Sequence, residues 1–220
     1  MARIGYGVIL LATAAGFLLS GGGCGREPAG GGPAPGRAER RPRVVCTVAM
    51  ITDIASQIAG EDAEVTGLLG AGIDPHLYKP TRTDVETLLS ADLILANGLH
   101  LEGKMAEVFE RAAGAGRRVV AVAETLEESA LLTPDDGAGQ HDPHVWMDPT
   151  AWAGVAGAVR DALAELAPEH EAAFGARAAE CIRRIEELHA YAGRVLGSVP
   201  AERRVLVTAH AGLALGGDPL

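Results

Sequence analysis

The stretch that decides the fold runs from residue 43 to residue 72, RVVCTVAMITDIASQIAGEDAEVTGLLGAG. It begins with an apolar segment from Val44 to Ala49 and continues with an amphipathic segment from Thr52 to Ala59. A second apolar segment, from Val65 to Leu69, leads into a glycine-rich turn. Short apolar runs bounded by turn residues are typical of strands, and the amphipathic spacing between them is typical of a helix. The stretch therefore predicts a strand, a helix and a second strand.

The same alternation continues along the chain. Thr83 and Glu86 have the spacing of a capping box, which predicts a helix from Asp84 to Ser90. The next predicted elements are a strand from Leu93 to Ala96, a helix from Lys104 to Ala113 and a strand from Val119 to Ala123. Strands that alternate with helices of this length indicate an α/β fold with a mostly parallel sheet. Ligands of such sheets bind in loops beyond the carboxyl ends of the strands.

The second half of the sequence has a different character. Ala151 to Leu166 is predicted to be helical, and after Pro168 a longer helix is predicted from Glu169 to about Leu196. A helix of that length measures about 40 Å, which is too long for a crossover in a small sheet. We therefore predict that it connects two lobes. A strand is predicted from Arg204 to Thr208.

These patterns divide the chain into five predicted parts. They are an export signal (1–24), a flexible linker (25–42), an N-terminal α/β lobe (43–150), a helical segment that contains the long interlobe helix (151–199) and the first strand of a C-terminal lobe (200–220). One strand cannot bury itself, so we expect that second lobe to be incomplete in this chain.

The N-terminal residues indicate export. Arg3 precedes an apolar run from Ile4 to Leu19, and small residues then lead to Cys24. This run is shorter than the ~20 residues that span a bilayer, which favours a cleaved signal. A cysteine at this point is typical of bacterial lipoproteins, in which it is acylated; simple cleavage and secretion is the alternative. The protein is therefore expected at the outer face of the cytoplasmic membrane or in the periplasm, anchored through a lipid on Cys24.

The composition excludes some functions. The chain has 29 acidic and 19 basic residues, a net charge of −10, which argues against nucleic acid as a partner. Hydrophobic residues make up 48% of the chain, enough for a packed core. Cys46 and Cys181 lie in apolar surroundings, which favours two buried free thiols over a disulfide.

Two segments with one pattern are the main candidates for a binding site. Asp74-Pro75-His76-Leu77-Tyr78 and Asp142-Pro143-His144-Val145-Trp146 each place an Asp-Pro pair before a histidine and an aromatic residue two positions after it. Proline stiffens the backbone at the histidine, and a preorganised imidazole is a good metal ligand. A single such histidine is more often a hydrogen-bonded loop residue, but the repeat favours ligation. We predict a transition-metal site with ligands His76 and His144, flanked by Asp74, Tyr78, Asp142 and Trp146.

The remaining histidines differ in how well their positions suit a metal ligand. His210 ends the predicted strand that begins at Arg204, which is a ligand position in folds of this kind, so it is the third candidate. His100 lies at a strand-to-helix junction, where a capping or packing role is expected. His141 lies in a polar loop. His170 and His189 fall on the long helix and are expected to face solvent.

The sequence does not predict an enzyme. It contains no Gly-x-Ser-x-Gly, no phosphate-binding Gly-rich loop and no His-Glu-x-x-His. A metallohydrolase would need a general base near the metal, and Glu102 or Asp148 could serve. Nothing in their spacing requires that role, so a metallohydrolase is the alternative hypothesis.

Four motifs make the chain resemble the metal-binding solute receptors of bacterial ABC importers for zinc and manganese, the cluster A-I family. The motifs are GIDPHLYKP (72–80), NGLHLEGKM (97–105), DPHVWMDP (142–149) and VLVTAH (205–210). The resemblance covers roughly residues 43 to 210. It implies two α/β lobes joined by one long rigid helix, with the metal held between them.

The resemblance also implies a ligand set. The family's first ligand falls on His76, its second on His144 and its third on His210, and its fourth is an Asp or similar group deep in the C-terminal lobe. Relatives continue after the third ligand with an Asp and an aromatic-rich helix, whereas this sequence reads AGLALGGDPL. We therefore expect a C-terminally truncated receptor, and Asp218 is not assigned as the fourth ligand.

The resemblance implies a function without covalent chemistry. A monomeric receptor would capture a divalent metal outside the cytoplasm and deliver it to an ABC permease in the membrane. Three imidazoles favour Zn²⁺, with Mn²⁺ next. The alternatives are a metal-dependent surface adhesin and a non-functional product of a truncated receptor gene.

Overall fold

The computed structural model describes residues 40–133 and 139–205. Within these residues four parallel strands form one sheet in the order β2-β1-β3-β4. The strands are β1 (Arg43–Cys46), β2 (Glu64–Gly67), β3 (Leu93–Ala96) and β4 (Arg118–Ala121). The predicted α/β fold with a parallel sheet is confirmed. The strand order changes direction between β1 and β3, and the carboxyl ends of these strands are the usual ligand-binding edge of such a sheet.

The strands alternate with helices that cover both faces of the sheet. The helices are α1 (Ala49–Ala59), α2 (Arg82–Ser90), α3 (Ala106–Gly114), α4 (Pro149–Leu166) and α5 (Glu171–Gly197). Alternate residues of a strand point to opposite faces. Val44 and Leu93 accordingly pack with α1, α4 and α5, whereas Val45 and Ile94 pack with α2 and α3. The result is a sheet between two helical layers.

The long helix α5 buries one face of its first half and is largely exposed in its second half. Phe174, Ala178 and Cys181 belong to the core shared with α1 and α4. Further along, Leu188 and Tyr191 are each 58% exposed. At 27 residues the helix is about 40 Å long. Its role as a connection between two lobes remains a prediction.

The start of α2 differs from the prediction. The capping box is formed by Thr81 and Asp84, two residues earlier than expected. The backbone N–H of Asp84 donates to Thr81 Oγ1 at 3.3 Å, and Asp84 Oδ2 accepts from the backbone N–H of Thr81 at 2.7 Å. The prediction failed because Thr81-Arg-Thr-Asp has the same spacing as the Thr83–Glu86 box, and an aspartate can also reach back to the cap.

Other boundaries shift by a few residues. Strand β1 ends at Cys46 because α1 begins at Ala49, three residues before the predicted start. Strand β4 ends at Ala121 because Val122–Thr125 forms a short 3-10 helix. Of the strand predicted from Arg204 to Thr208, only the first two residues are described, and neither is in a strand.

The two cysteines of the folded part are free and buried, as predicted. Burial raises the pKa of Cys46 to about 12, so its thiol stays protonated at neutral pH. Within the described ranges, none of the helices is both long enough and apolar enough to cross a bilayer.

Replacing Asp92 by Asn is expected to lower stability at neutral pH by about 1–2 kcal/mol. The Asp92 carboxylate accepts two hydrogen bonds from the Arg40 guanidinium, each 2.9 Å, and one from the backbone N–H of Arg43 at 2.7 Å. The hydrogen bonds from Arg40 hold the pKa of Asp92 below its usual range. A carboxylate with a lowered folded pKa stabilises the fold above its unfolded pKa, ~3.9, and this stabilisation is lost as the pH falls through the folded value.

Urea unfolding at neutral pH and at about pH 3 would test this expectation. The variant should lose less stability on acidification than the parent protein, because its side chain has no proton to take up. Equal losses in the two proteins would contradict the prediction.

Candidate metal centre

The structure brings His76 and His144 together. Their Nε2 atoms are 3.2 Å apart, and their ring centroids are 5.2 Å apart. His76 lies in the loop that follows β2, and His144 lies in the segment between β4 and α4. Both segments follow parallel strands, so both histidines lie at the carboxyl edge of the sheet, where binding loops of this architecture are found.

The two Asp-Pro-His segments have the same local structure. The carboxylate of Asp74 accepts from the backbone N–H of His76 at 2.9 Å, and the carboxylate of Asp142 accepts from the backbone N–H of His144 at 2.9 Å. An Asp side chain that binds the backbone two residues ahead closes an Asx turn. In each segment a proline lies between the aspartate and the histidine, and its ring fixes the φ angle of that residue. The recurrence in the sequence is therefore a recurring turn that presents a histidine.

Asp142 also contacts the imidazole of His144. Its Oδ1 lies 2.5 Å from Nδ1 of the ring, and the side chains of Asp142 and His144 are only 9% and 13% exposed. A carboxylate accepts from Nδ1–H, which leaves the Nε2 lone pair for another partner. Trp146 packs edge-on against the same ring, with centroids 5.1 Å apart. The ring of His144 is thus held from two sides.

Tyr78 stabilises the loop of His76 through a hydrogen bond to the next helix. Its hydroxyl donates to the carboxylate of Asp84 at 2.6 Å, at the start of α2. This hydrogen bond to Asp84 raises the pKa of Tyr78. Tyr78 therefore ties the loop that carries His76 to the helix that follows it. The sequence placed Tyr78 beside the site but did not reveal this partner.

The loop after β3 has an unusual backbone. Gly98, Leu99 and His100 all have positive φ, at 82°, 52° and 62°. For residues other than glycine this conformation costs about 1–2 kcal/mol each. Two carboxylates hold the loop, since the backbone N–H of Gly98 donates to Glu102 at 3.1 Å and that of Leu99 donates to Glu124 at 2.9 Å. Of the capping or packing role predicted for His100, its exposure contradicts packing, and the capping role remains a prediction.

Glu102, one of the two residues that could serve as a base under the alternative hydrolase hypothesis, is held inside the fold. It is 3% exposed, and both of its oxygens accept hydrogen bonds from neighbouring residues. In the sequence Glu102 stands between Leu101 and Gly103, and neither neighbour indicates that the carboxylate is buried. A buried carboxylate with several donors is typical of a structural network.

The other histidines of the described residues have different surroundings. Nδ1 of His141 is 3.0 Å from the hydroxyl of Thr133, and His170 lies 3.4 Å from Asp62. His189 is exposed, as predicted, whereas His170 is half-buried. His210 lies outside the described residues. Among residues 40–133 and 139–205, no group of three or more His, Cys, Asp or Glu side chains could hold a metal ion.

The parallel sheet, the long helix and the histidine pair are the features of an α/β receptor for a small solute. The family described as zinc-uptake complex component A, periplasmic, matches residues 44–215. The chain belongs to this family of metal-binding receptors of ABC importers, whose members are substrate-binding proteins and not enzymes. The predicted family and the prediction that the protein is not an enzyme are confirmed.

Individual relatives agree with this assignment. The chain is 47% identical to the zinc-binding protein TroA of Treponema pallidum over 173 residues, which are 79% of the chain and 55% of that protein. It is 35% identical to the manganese-binding lipoprotein MntA of Bacillus subtilis over 210 residues, which are 96% of the chain and 65% of that protein. The chain thus spans between half and two thirds of these relatives' length.

A solved structure matches the fold. The periplasmic zinc-binding protein TroA from Treponema pallidum superposes with a TM-score of 0.74 at 47% identity. The match covers 78% of this chain and 61% of that chain. The comparisons favour neither the metallohydrolase nor the adhesin.

Proposed function

We propose that this chain binds a divalent transition metal as a transported solute, with His76 and His144 as ligands. The observation that supports the proposal is the 3.2 Å separation of the two Nε2 atoms. Two imidazoles bound to one tetrahedral zinc at 2.0–2.1 Å have nitrogen atoms about 3.3–3.4 Å apart. The pair therefore has nearly the spacing that a shared ion requires.

Zinc is the favoured metal, and manganese is the second choice. Imidazole nitrogen suits Zn²⁺, whereas a site with more oxygen ligands suits Mn²⁺. His210 is proposed as the third ligand, because it ends the VLVTAH motif of the resemblance. The zinc-binding name of the treponemal relative agrees with this order, and the manganese-binding name of the Bacillus relative supports the second choice.

The proposal includes a place and a partner. Receptors of ABC importers work with a membrane permease, so the metal would pass from this receptor to a permease of that kind. The protein would be exported by residues 1–24 and held at the membrane through an acylated Cys24, as a monomer. The name of the Bacillus relative, a lipoprotein, supports the anchor.

Equilibrium dialysis of the purified chain against equal concentrations of Zn²⁺ and Mn²⁺, with metal analysis of the protein, would test the proposal. We expect retained metal, with zinc in excess of manganese. Retention of manganese over zinc would contradict the proposed preference for zinc but not the proposed metal site. Retention of neither metal would overturn the proposed function.

Replacing Asp142 by Asn is expected to lower zinc affinity by about 10–100-fold. The asparagine keeps the size of the side chain but removes the charge 2.5 Å from Nδ1 of His144, so the ring becomes a poorer electron donor. Titration calorimetry would measure the change. Asp148→Asn is the matched control, because Asp148 caps α4 through the backbone N–H of Thr150. An equal loss in both variants would contradict the role of Asp142.

A further inference from the structure

A buried hydrogen-bond network lies at the carboxyl ends of β1 and β3. The Oε1 atom of Glu102 accepts from the hydroxyl of Thr47 at 2.5 Å and from the backbone N–H of Asn97 at 2.8 Å. Its Oε2 atom accepts from the backbone N–H of Gly98 at 3.1 Å. Thr47 and Asn97 are fully buried. Glu102 therefore fixes the backbone at the point where β3 ends and the left-handed turn begins.

The Asn97 side chain extends this network to the segment of His144. Its Nδ2 atom donates to the carbonyl oxygen of Pro143 at 3.0 Å and to that of Gly98 at 3.1 Å. Pro143 immediately precedes His144, although it lies 46 positions from Asn97 in the sequence. The contact joins the segment of the second histidine directly to the central sheet.

As a result, the carbonyl oxygen and the N–H group of one peptide unit are both hydrogen-bonded. The oxygen of the Pro143–His144 peptide accepts from Asn97 at 3.0 Å, and its N–H donates to Asp142 at 2.9 Å. A peptide unit is planar, so two hydrogen bonds on opposite sides determine its orientation. This plane fixes the N–Cα bond of His144, and the φ angle of −83° then sets the direction in which its Cα–Cβ bond leaves the backbone.

We propose that Asn97, held in place by Glu102, is a positioning residue that orients His144 for metal binding. This inference rests on the proposed function. An amide is suited to this position because its NH₂ group donates to two carbonyl oxygens at once. A carboxylate there would face the same two oxygens with a negative charge. A preorganised ligand loses less freedom on binding, so a loosened His144 binds metal more weakly.

Two variants of the full chain test the inference. Asn97→Asp replaces the donor by an acceptor, and Asn97→Ala removes the side-chain donor without adding charge. Zinc affinity is measured by competition with a chelator, and Co²⁺ is bound as a spectroscopic probe of ligand geometry. We expect Kd for Zn²⁺ to rise about 10–100-fold in both variants. The visible absorption bands of bound Co²⁺ should also change in position or intensity.

Two further variants separate positioning from general loss of stability. Glu102→Gln keeps the shape of the side chain but removes its charge, which weakens its hydrogen bonds to the backbone N–H groups of Asn97 and Gly98. We therefore expect Kd for Zn²⁺ to rise in this variant too. Asp92→Asn is the matched control, because it removes hydrogen bonds at the opposite end of β3 and lowers stability there. Its Kd for Zn²⁺ and its Co²⁺ spectrum should equal those of the parent protein.

The outcomes distinguish this inference from the proposed function. If Asn97→Ala folds, as judged by circular dichroism, and keeps the parent Kd and Co²⁺ spectrum, the positioning role is overturned while the metal receptor stands. Equal weakening in Asp92→Asn would also overturn it, since stability alone would then explain the loss. A parent protein that binds no zinc would overturn both. If Asn97→Asp does not fold, the result for Asn97→Ala tests the positioning role.

Discussion

The double variant His76→Ala/His144→Ala is expected to lose zinc affinity by at least about 1,000-fold. A structural zinc site contributes about 10–16 kcal/mol of apparent binding free energy from four ligands, so removing two ligands removes several kcal/mol. Every 1.4 kcal/mol corresponds to tenfold in Kd. The two rings are 3.2 Å apart at Nε2, so each single variant should also lose most of the affinity. The loss should not be additive, because both rings bind one ion.

Titration calorimetry with Zn²⁺ and Mn²⁺ would measure this loss. Trp146 offers a second signal, because its ring lies 5.1 Å from that of His144 and its fluorescence should respond to bound metal. The control is His170→Ala/His189→Ala, which removes the same number of imidazoles from α5 and the short helical turn before it. This control should keep the parent affinity. If the control loses as much affinity as the site variant, the ligand assignment is wrong.

Phe174→Ala is expected to cost about 3–5 kcal/mol of unfolding free energy. The ring of Phe174 is fully buried in the core where α5 packs against α1 and α4. Truncation to alanine removes the apolar contacts of the ring and leaves a cavity that the surrounding side chains fill only in part. The Arg177 guanidinium also lies 6.0 Å above this ring and loses that contact.

Urea unfolding followed by circular dichroism would measure the free energy lost by Phe174→Ala. Tyr191→Ala on the same helix is the matched control, because Tyr191 is 58% exposed and its removal should change stability by no more than about 0.5 kcal/mol. A loss in Phe174→Ala as small as that in Tyr191→Ala would show that the first half of α5 is not part of the core.

Local spacing in the sequence predicted much of the fold. The alternation of short apolar runs with amphipathic segments predicted the parallel sheet and its helices, because period and length distinguish strands from helices without knowledge of the partners. Element ends were predicted less well. The Thr81–Asp84 and Thr83–Glu86 pairs both satisfy the capping rule, and only the folded chain uses the first of them. Because both pairs have the spacing of a capping box, the sequence alone did not distinguish them.

For the candidate site, the sequence by itself determined the two Asp-Pro-His turns, because each is closed by a hydrogen bond between residues two positions apart. The tertiary structure alone decided that the imidazoles of His76 and His144, 68 residues apart, meet at 3.2 Å. It also decided that Glu102 is buried and that Asn97 contacts Pro143. Such contacts depend on the order of the strands in the sheet and on the path of the loops at its carboxyl edge, and no local spacing encodes either of them.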